Sequence, residues 1–211
     1  MKAILRGVEH AWFAALQRAW QVAGPLSLAA RGVEGADRLR CYGLPVVERA
    51  PGSRITLGAR VVLCSHARFT ALGVSQPVVL RTVAPGADIR IGTDVGISGA
   101  TICAAVSVSI GDRCLLGSGV QVTDTDFHPL APEGRRFENR HEHIPHAPVE
   151  IGENVFLGAG VRVLKGVRIG RNSVIGAGSL VTRDIPADVV AAGNPARVLG
   201  PLPDGSAPCR R

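Results

Sequence analysis

The chain has 211 residues and a mass of 22.0 kDa, enough for one domain with its own core and a small appendage. Hydrophobic residues make up 46% of it, which excludes a disordered chain, and no apolar run reaches the ~20 residues needed to cross a bilayer. A net charge of +7 and a pI near 9.9 favour anionic partners, but the aromatics, only 4% and scattered, offer no platform for stacked bases, so a phosphate-bearing small molecule fits better than nucleic acid.

The opening, MKAILRGVEHAWFAALQRAWQVAG, has early positive charge and apolar residues, yet Glu9, His10, Gln17 and Arg18 interrupt any secretory-signal core. It reads as a helix through Val22, ended by Gly24-Pro25, in a helical segment spanning residues 1–40. Ile4, Val8, Trp12, Ala15 and Ala19 form an apolar stripe. The stripe predicts packing on the rest of the protein or on a neighbouring subunit, ahead of membrane-surface association; Phe13, on the polar side, keeps the membrane reading open. Cys41, Cys64, Cys103, Cys114 and Cys209 are an odd number without a C-x-x-C pair, which points to reduced, mostly structural thiols in a cytoplasmic protein.

From Ile151 the chain divides into blocks of six: IGENVF, LGAGVR, VLKGVR, IGRNSV, IGAGSL, VTRDIP. First places are all aliphatic, fifth places all small or β-branched. Neither a helix of period 3.6 nor an alternating strand produces a period of six. Short straight segments joined by tight, glycine-tolerant corners do, three segments closing one 18-residue coil. Stacked at the ~4.8 Å strand spacing, such coils pair their backbones with one another. The phrase also occurs from Ile91 (IGTDVG, ISGATI, CAAVSV) and, after one extra residue, from Ile110 (IGDRCL, LGSGVQ, VTDTDF), with fainter versions from Leu57. The expected fold is all-β: a parallel coil over residues 41–198, preceded by the helix and followed by a tail at 199–211.

The count breaks once. Eighteen residues after Ile110 an aliphatic residue is due, and His128 stands there; Asp126 likewise fills a fifth place. The phrase returns at Ile151, so residues 128–150, rich in Pro, Arg and His, are read as a loop leaving the coil. On residues alone His128 is either a general base, its imidazole suiting both halves of a proton shuttle, or a turn histidine before Pro129. Asp124 and Asp126 either orient that ring or serve as ordinary turn aspartates.

DFHPL, APVEIGENVFLGAG, IGAGSLVTRDIP and GNPARVL together resemble the hexapeptide-repeat O-acetyltransferases, the group holding galactoside and maltose acetyltransferases and sugar acetyltransferases of polysaccharide clusters. The resemblance runs over residues 55–200 and is dense from 110 onward. It implies a left-handed parallel β-helix, a homotrimer with sites between subunits, acetyl-CoA as cosubstrate without a metal, and a saccharide hydroxyl as acceptor. On this resemblance His128 is the catalytic base, assisted by Asp126. Ala159 and Ala177 lie along the pantetheine arm with Thr182 and Arg183 nearby, and Arg197 contacts phosphate. The sequence departs from the group in three respects: Phe156 stands where a tryptophan is frequent, Ser98 and Ala100 stand where a sugar-contacting asparagine is expected, and galactoside and maltose acetyltransferases have a longer N-terminal region of different sequence. Three other readings remain: a serine acetyltransferase, though its large helical N-terminal domain is missing; a zinc β-helix of the gamma-carbonic-anhydrase type using His141, His143 and His146; and a non-catalytic scaffold.

Overall fold

The computed structural model describes residues 2–203, with side chains from Ala11 onward. The six-residue period becomes a three-sided coil with one parallel sheet on each face. The first face stacks Arg40–Tyr42, Val62–Cys64, Gly96–Ser98, Leu115–Leu116, Phe156–Leu157, Val174–Ile175 and Val189–Gly193, and Ala196–Pro201 folds back antiparallel on the last of these. The second stacks Val46–Glu48, Val79–Thr82, Thr101–Ala104, Gln121–Thr123, Arg162–Val163 and Leu180–Val181, and the third Arg54–Leu57, Asp88–Ile91, Ser107–Ile110, Val149–Ile151 and Arg168–Ile169.

Register follows the repeat. Leu116, Leu157 and Ile175 stand in one column, Val122, Val163 and Val181 in a second, Ile110, Ile151 and Ile169 in a third. All are buried, each contributing roughly 1.5–3 kcal/mol. From Ile151 onward the fifth places point inward too, and the two that are serine have bonded hydroxyls: Ser173 Oγ donates to the Pro186 carbonyl at 2.7 Å and Ser179 Oγ to that of Gly176 at 2.6 Å. The count from Ile91 slips by one on the second face, where Ile102 rather than Cys103 stands in register with Val122. Cys41, Cys64, Cys103 and Cys114 are buried free thiols; burial pushes Cys41, Cys103 and Cys114 up to about 11. Cys209 lies outside the described residues.

The helix, α1, differs from expectation in length and in facing. It spans Lys2–Ala30 with Pro25 inside. Its stop is Gly32, at φ 71°, where the Gly32 amide donates to Ala29 O (2.8 Å) and the Val33 amide to Leu28 O (3.1 Å), the paired bonds of a glycine C-terminal cap. Proline costs the helix one amide bond, but the turn beyond it carries Leu28, fully buried in the core, and that burial holds the helix on. Gln21 donates to Cys41 O (2.7 Å) and accepts from Cys41 N (3.2 Å), closing the open edge of the first sheet, and Gly24 leaves room for the Cys41 side chain. Trp20 meets His66 and Phe69 at ring distances of 5.0 and 5.7 Å, and the Arg68 guanidinium lies 3.7 Å from the Phe13 ring centre. The face toward the coil is therefore Phe13, Trp20, Gln21, Gly24 and Leu28, while Trp12, Ala15 and Ala19 point outward. Ile4 and Val8 precede the described side chains.

At the corner after the third face Gly111, Gly152 and Gly170 stack; a Cβ on Gly152 would lie 2.7 Å from the Arg171 nitrogen. Backbone cannot give way there without breaking the Gly152 amide bond to Ile169 O. Gly152→Ala is expected to lower stability by about 1–3 kcal/mol, read as a drop in thermal midpoint relative to wild type; an unchanged midpoint would show the corner to be loose.

Candidate active site

The residue in register with Ile110 is Ile151, not the position 18 residues on, so 23 residues are inserted between the second and third faces of the fourth coil. The insertion has a closed neck. Ala147 N–H donates to Asp124 O at 2.9 Å, Asp126 N–H donates to Pro145 O at 3.0 Å, and Thr125 bridges His146 antiparallel between them. Gly166 N–H donates to Ala147 O at 2.9 Å, which binds the neck to the next coil.

The two aspartates hold this neck. Asp124 is wholly buried, and its oxygens accept from the Ala105 and Val106 amides at 2.6 and 2.7 Å. Burial raises its carboxyl above the usual range, opposed by those amide bonds. Asp126 Oδ1 takes Lys165 Nζ at 2.6 Å, and its Oδ2 is buried without a partner among the described residues. Neither carboxylate is hydrogen-bonded to His128; the side chain that reaches Asp126 is Lys165, which the sequence reading did not single out. The register was the available signal, since Val122, Val163 and Val181 share a column and two residues further on stand Asp124, Lys165 and Arg183.

Phe127, at φ 62°, turns the chain sharply as it leaves the neck, a conformation that bulky residues rarely adopt. His128 follows, exposed and without a hydrogen-bond partner among the described residues, on the rim of a cavity of about 300 Å³ also lined by Thr125, Phe127, Arg136, Glu138, Asn139 and His141. The far wall is braced by Glu138, whose carboxylate accepts from Arg140 Nε (2.9 Å) and Nη2 (2.6 Å) and meets His143 Nδ1 at 2.7 Å. The Arg140 side chain first, then its amide and His143, hold Glu138 well below the usual carboxylate range. His146 Nδ1 donates to Ile144 O at 2.8 Å. His141, His143 and His146 thus face three different surroundings, and no cluster of three metal-binding side chains occurs among the described residues.

The expected cofactor residues are divided between two corners. Ala159 and Ala177 sit one above the other after the first face, their amides without a backbone acceptor among the described residues, whereas those of Gly160 and Gly178 bond to the coil below. Arg197, exposed on the terminal hairpin opposite Ala192, donates to Ala196 O at 2.8 Å; Ala192 lies over Gly176, so this arginine stands above the alanine corner. Thr182 and Arg183 are exposed after the second face, in the column that runs down to Lys165 and Asp124. Within one chain the alanine corner and the His128 corner are separated by the width of the second face.

Residues 86–124 match the family described as hexapeptide repeat of succinyl-transferase, and 148–183 the bacterial transferase hexapeptide (six repeats). Galactoside O-acetyltransferases of Lactococcus lactis and Escherichia coli are each 42% identical over 120 residues, 56% of this chain and 56% and 57% of theirs. The chain thus spans a little over half the length of these curated relatives. Among solved structures, a hexapeptide-repeat-containing acetyltransferase of Vibrio cholerae superposes with TM-score 0.54 at 22% identity (92% of this chain, 90% of that one). An N-acyltransferase of Bacillus cereus gives TM-score 0.59 at 17% identity (79% and 81%). The coil is the left-handed parallel β-helix of this class. Two segments of the chain thus match hexapeptide-repeat families, and its sequence similarity runs to galactoside O-acetyltransferases.

Lys165→Met removes the cation on Asp126 and leaves that carboxylate half-buried and unpaired. We expect a loss of about 1 kcal/mol, read as a lowered thermal midpoint that Lys165→Arg restores; a midpoint equal to wild type would mean that the pair does not brace the neck.

Proposed function

We propose that the protein is an acetyl-CoA-dependent O-acetyltransferase acting on a hydroxyl of a saccharide. The observation that carries this reading is His128, set just after the positive-φ turn at Phe127 and at the mouth of a cavity, where the inserted loop leaves the coil. The similarity to galactoside O-acetyltransferases supports the saccharide acceptor.

In this reading the neutral imidazole of His128 takes the proton of the acceptor hydroxyl as its oxygen attacks the thioester carbonyl. The tetrahedral oxyanion is met by a backbone amide near Ala159. On collapse the C–S bond breaks, and the CoA sulfur leaves with the proton held by the imidazole. The unpaired amides of Ala159 and Ala177 suit the polar pantetheine arm, and Arg183 and Arg197, without carboxylate partners among the described residues, suit phosphate. Asp126, held by Lys165, positions the turn that carries His128. Because the alanines and His128 occupy different corners of one chain, a complete site needs the corner of one copy against that of the next, which supports the trimer. The outward row Val62, Leu115, Phe156 and Val174 on the first face fits the role of contact surface, Leu115 and Phe156 being 55% and 44% exposed.

Thiol release from acetyl-CoA across a panel of sugars and serine tests the reaction. His128→Ala is expected to fold and bind CoA while turnover falls roughly 10²–10⁴-fold; full turnover in that variant would sink the mechanism. Arg197→Ala is expected to raise the CoA dissociation constant roughly tenfold or more, the share of a charge-assisted contact, with an unchanged thermal midpoint. Unaltered CoA affinity would remove Arg197 from the site. Light scattering should give three times the 22.0 kDa chain mass, and an active monomer would refute the shared site.

A further inference from the structure

We propose that the outward face of α1 docks the protein on an anionic lipid surface. Trp12, Ala15, Ala19, Val22 and Leu26 recur at alternating three- and four-residue intervals and are all exposed; Trp12 and Val22 are 62% open to solvent and Leu26 65%. A surface helix ordinarily turns its apolar stripe to the core and a polar face to water. Here the opposite face is already committed to the coil through Trp20, Gln21, Gly24 and Leu28, so the face left over is the apolar one.

Charge selects its occupant. Residues 1–70 hold ten Lys and Arg against four Asp and Glu, a net +6, while residues 71–211 hold fourteen against thirteen, a net +1. Residues 1–70 form α1 and the coils beside it, since the earliest strands end all three sheets at that pole. Arg18, Arg31, Arg40 and Arg49 have no carboxylate partner among the described residues. A second copy offering the same pole would bring like charge against like; a bilayer with anionic headgroups accepts both the apolar stripe and the cations around it. Trp12 is the side chain suited to the headgroup boundary, and Arg18, flanking the stripe, can extend its guanidinium toward phosphate. No described helix is long and apolar enough to cross a membrane, so the contact is peripheral.

Cosedimentation of the full chain with phosphatidylcholine vesicles, alone or mixed with phosphatidylglycerol, tests this. Binding is expected on the mixed vesicles, weak on phosphatidylcholine alone, and reduced by salt. The double change Trp12→Ser, Leu26→Ser should lower the partition coefficient at least ~tenfold, and Arg18→Glu with Arg40→Glu should abolish the preference for phosphatidylglycerol; circular dichroism identifies folded variants, and the arginine pair decides alone if the serine pair misfolds. No wild-type binding to mixed vesicles overturns the proposal. So does equal binding by the folded variants, or an assembly that dissociates in the serine variant without any vesicle binding, which would assign the stripe to a second copy. None of these readouts uses acetyl transfer, so the outcome is independent of the proposed reaction.

Discussion

The close approach of one coil to the next governs this molecule. Parallel strands at the ~4.8 Å spacing satisfy each other's amides and carbonyls only if nothing protrudes at the corners. The stacked glycines at 111, 152 and 170 meet that condition, with backbone where a side chain would begin. Once the corners close, register follows: Ile110 must lie on Ile151 and Ile151 on Ile169. A parallel coil pairs residues far apart in sequence, so its order rests on this repeated contact rather than on local preference.

The inserted loop uses the same constraint. An insertion of 23 residues leaves the coil intact only if its two ends arrive side by side, and the neck between residues 124–126 and 145–147 brings them together. Asp124 acts from inside, since two amides of the preceding coil end on its carboxylate. Asp126 acts from outside through Lys165 of the following coil. His128 is thereby fixed to three consecutive coils while its ring has no hydrogen-bond partner among the described residues.

The repeat made the coil legible because a period of six has no competing explanation, and the broken place at His128 was legible for the same reason. What the sequence concealed depended on tertiary contact. Gly24-Pro25 carries the local signature of a helix end, but burial of Leu28 outweighed it and the helix ran to Ala30. The stripe through Trp12 and Ala19 has the pattern of a packing face, yet Gln21, polar in the sequence, faces the coil because a sheet edge needs an amide donor and acceptor there. Lys165 was hidden because its partner Asp126 lies 39 residues away, across a loop that obscures the column they share.

The inward rows of the three faces are aliphatic apart from Cys41, so individuality lies in the outward rows and the corners. On the third face the outward row is Thr56, Arg90, Ser109, Glu150 and Arg168, a surface at ease in water. On the first, beyond Arg40 at its start, it is Val62, Gly96, Leu115, Phe156 and Val174, which water favours least. The second, with Thr101, Gln121 and Arg162, lies between these extremes and leads into the corner that carries the loop. Apolar surface left in rows tends to be covered, and the corners at the two edges of the second face hold the unpaired amides and the free imidazole. In the trimer proposed above, covering the first face with another copy's second face would bring those two corners toward each other, so the outward residues that water favours least would also assemble the groups a single chain keeps apart.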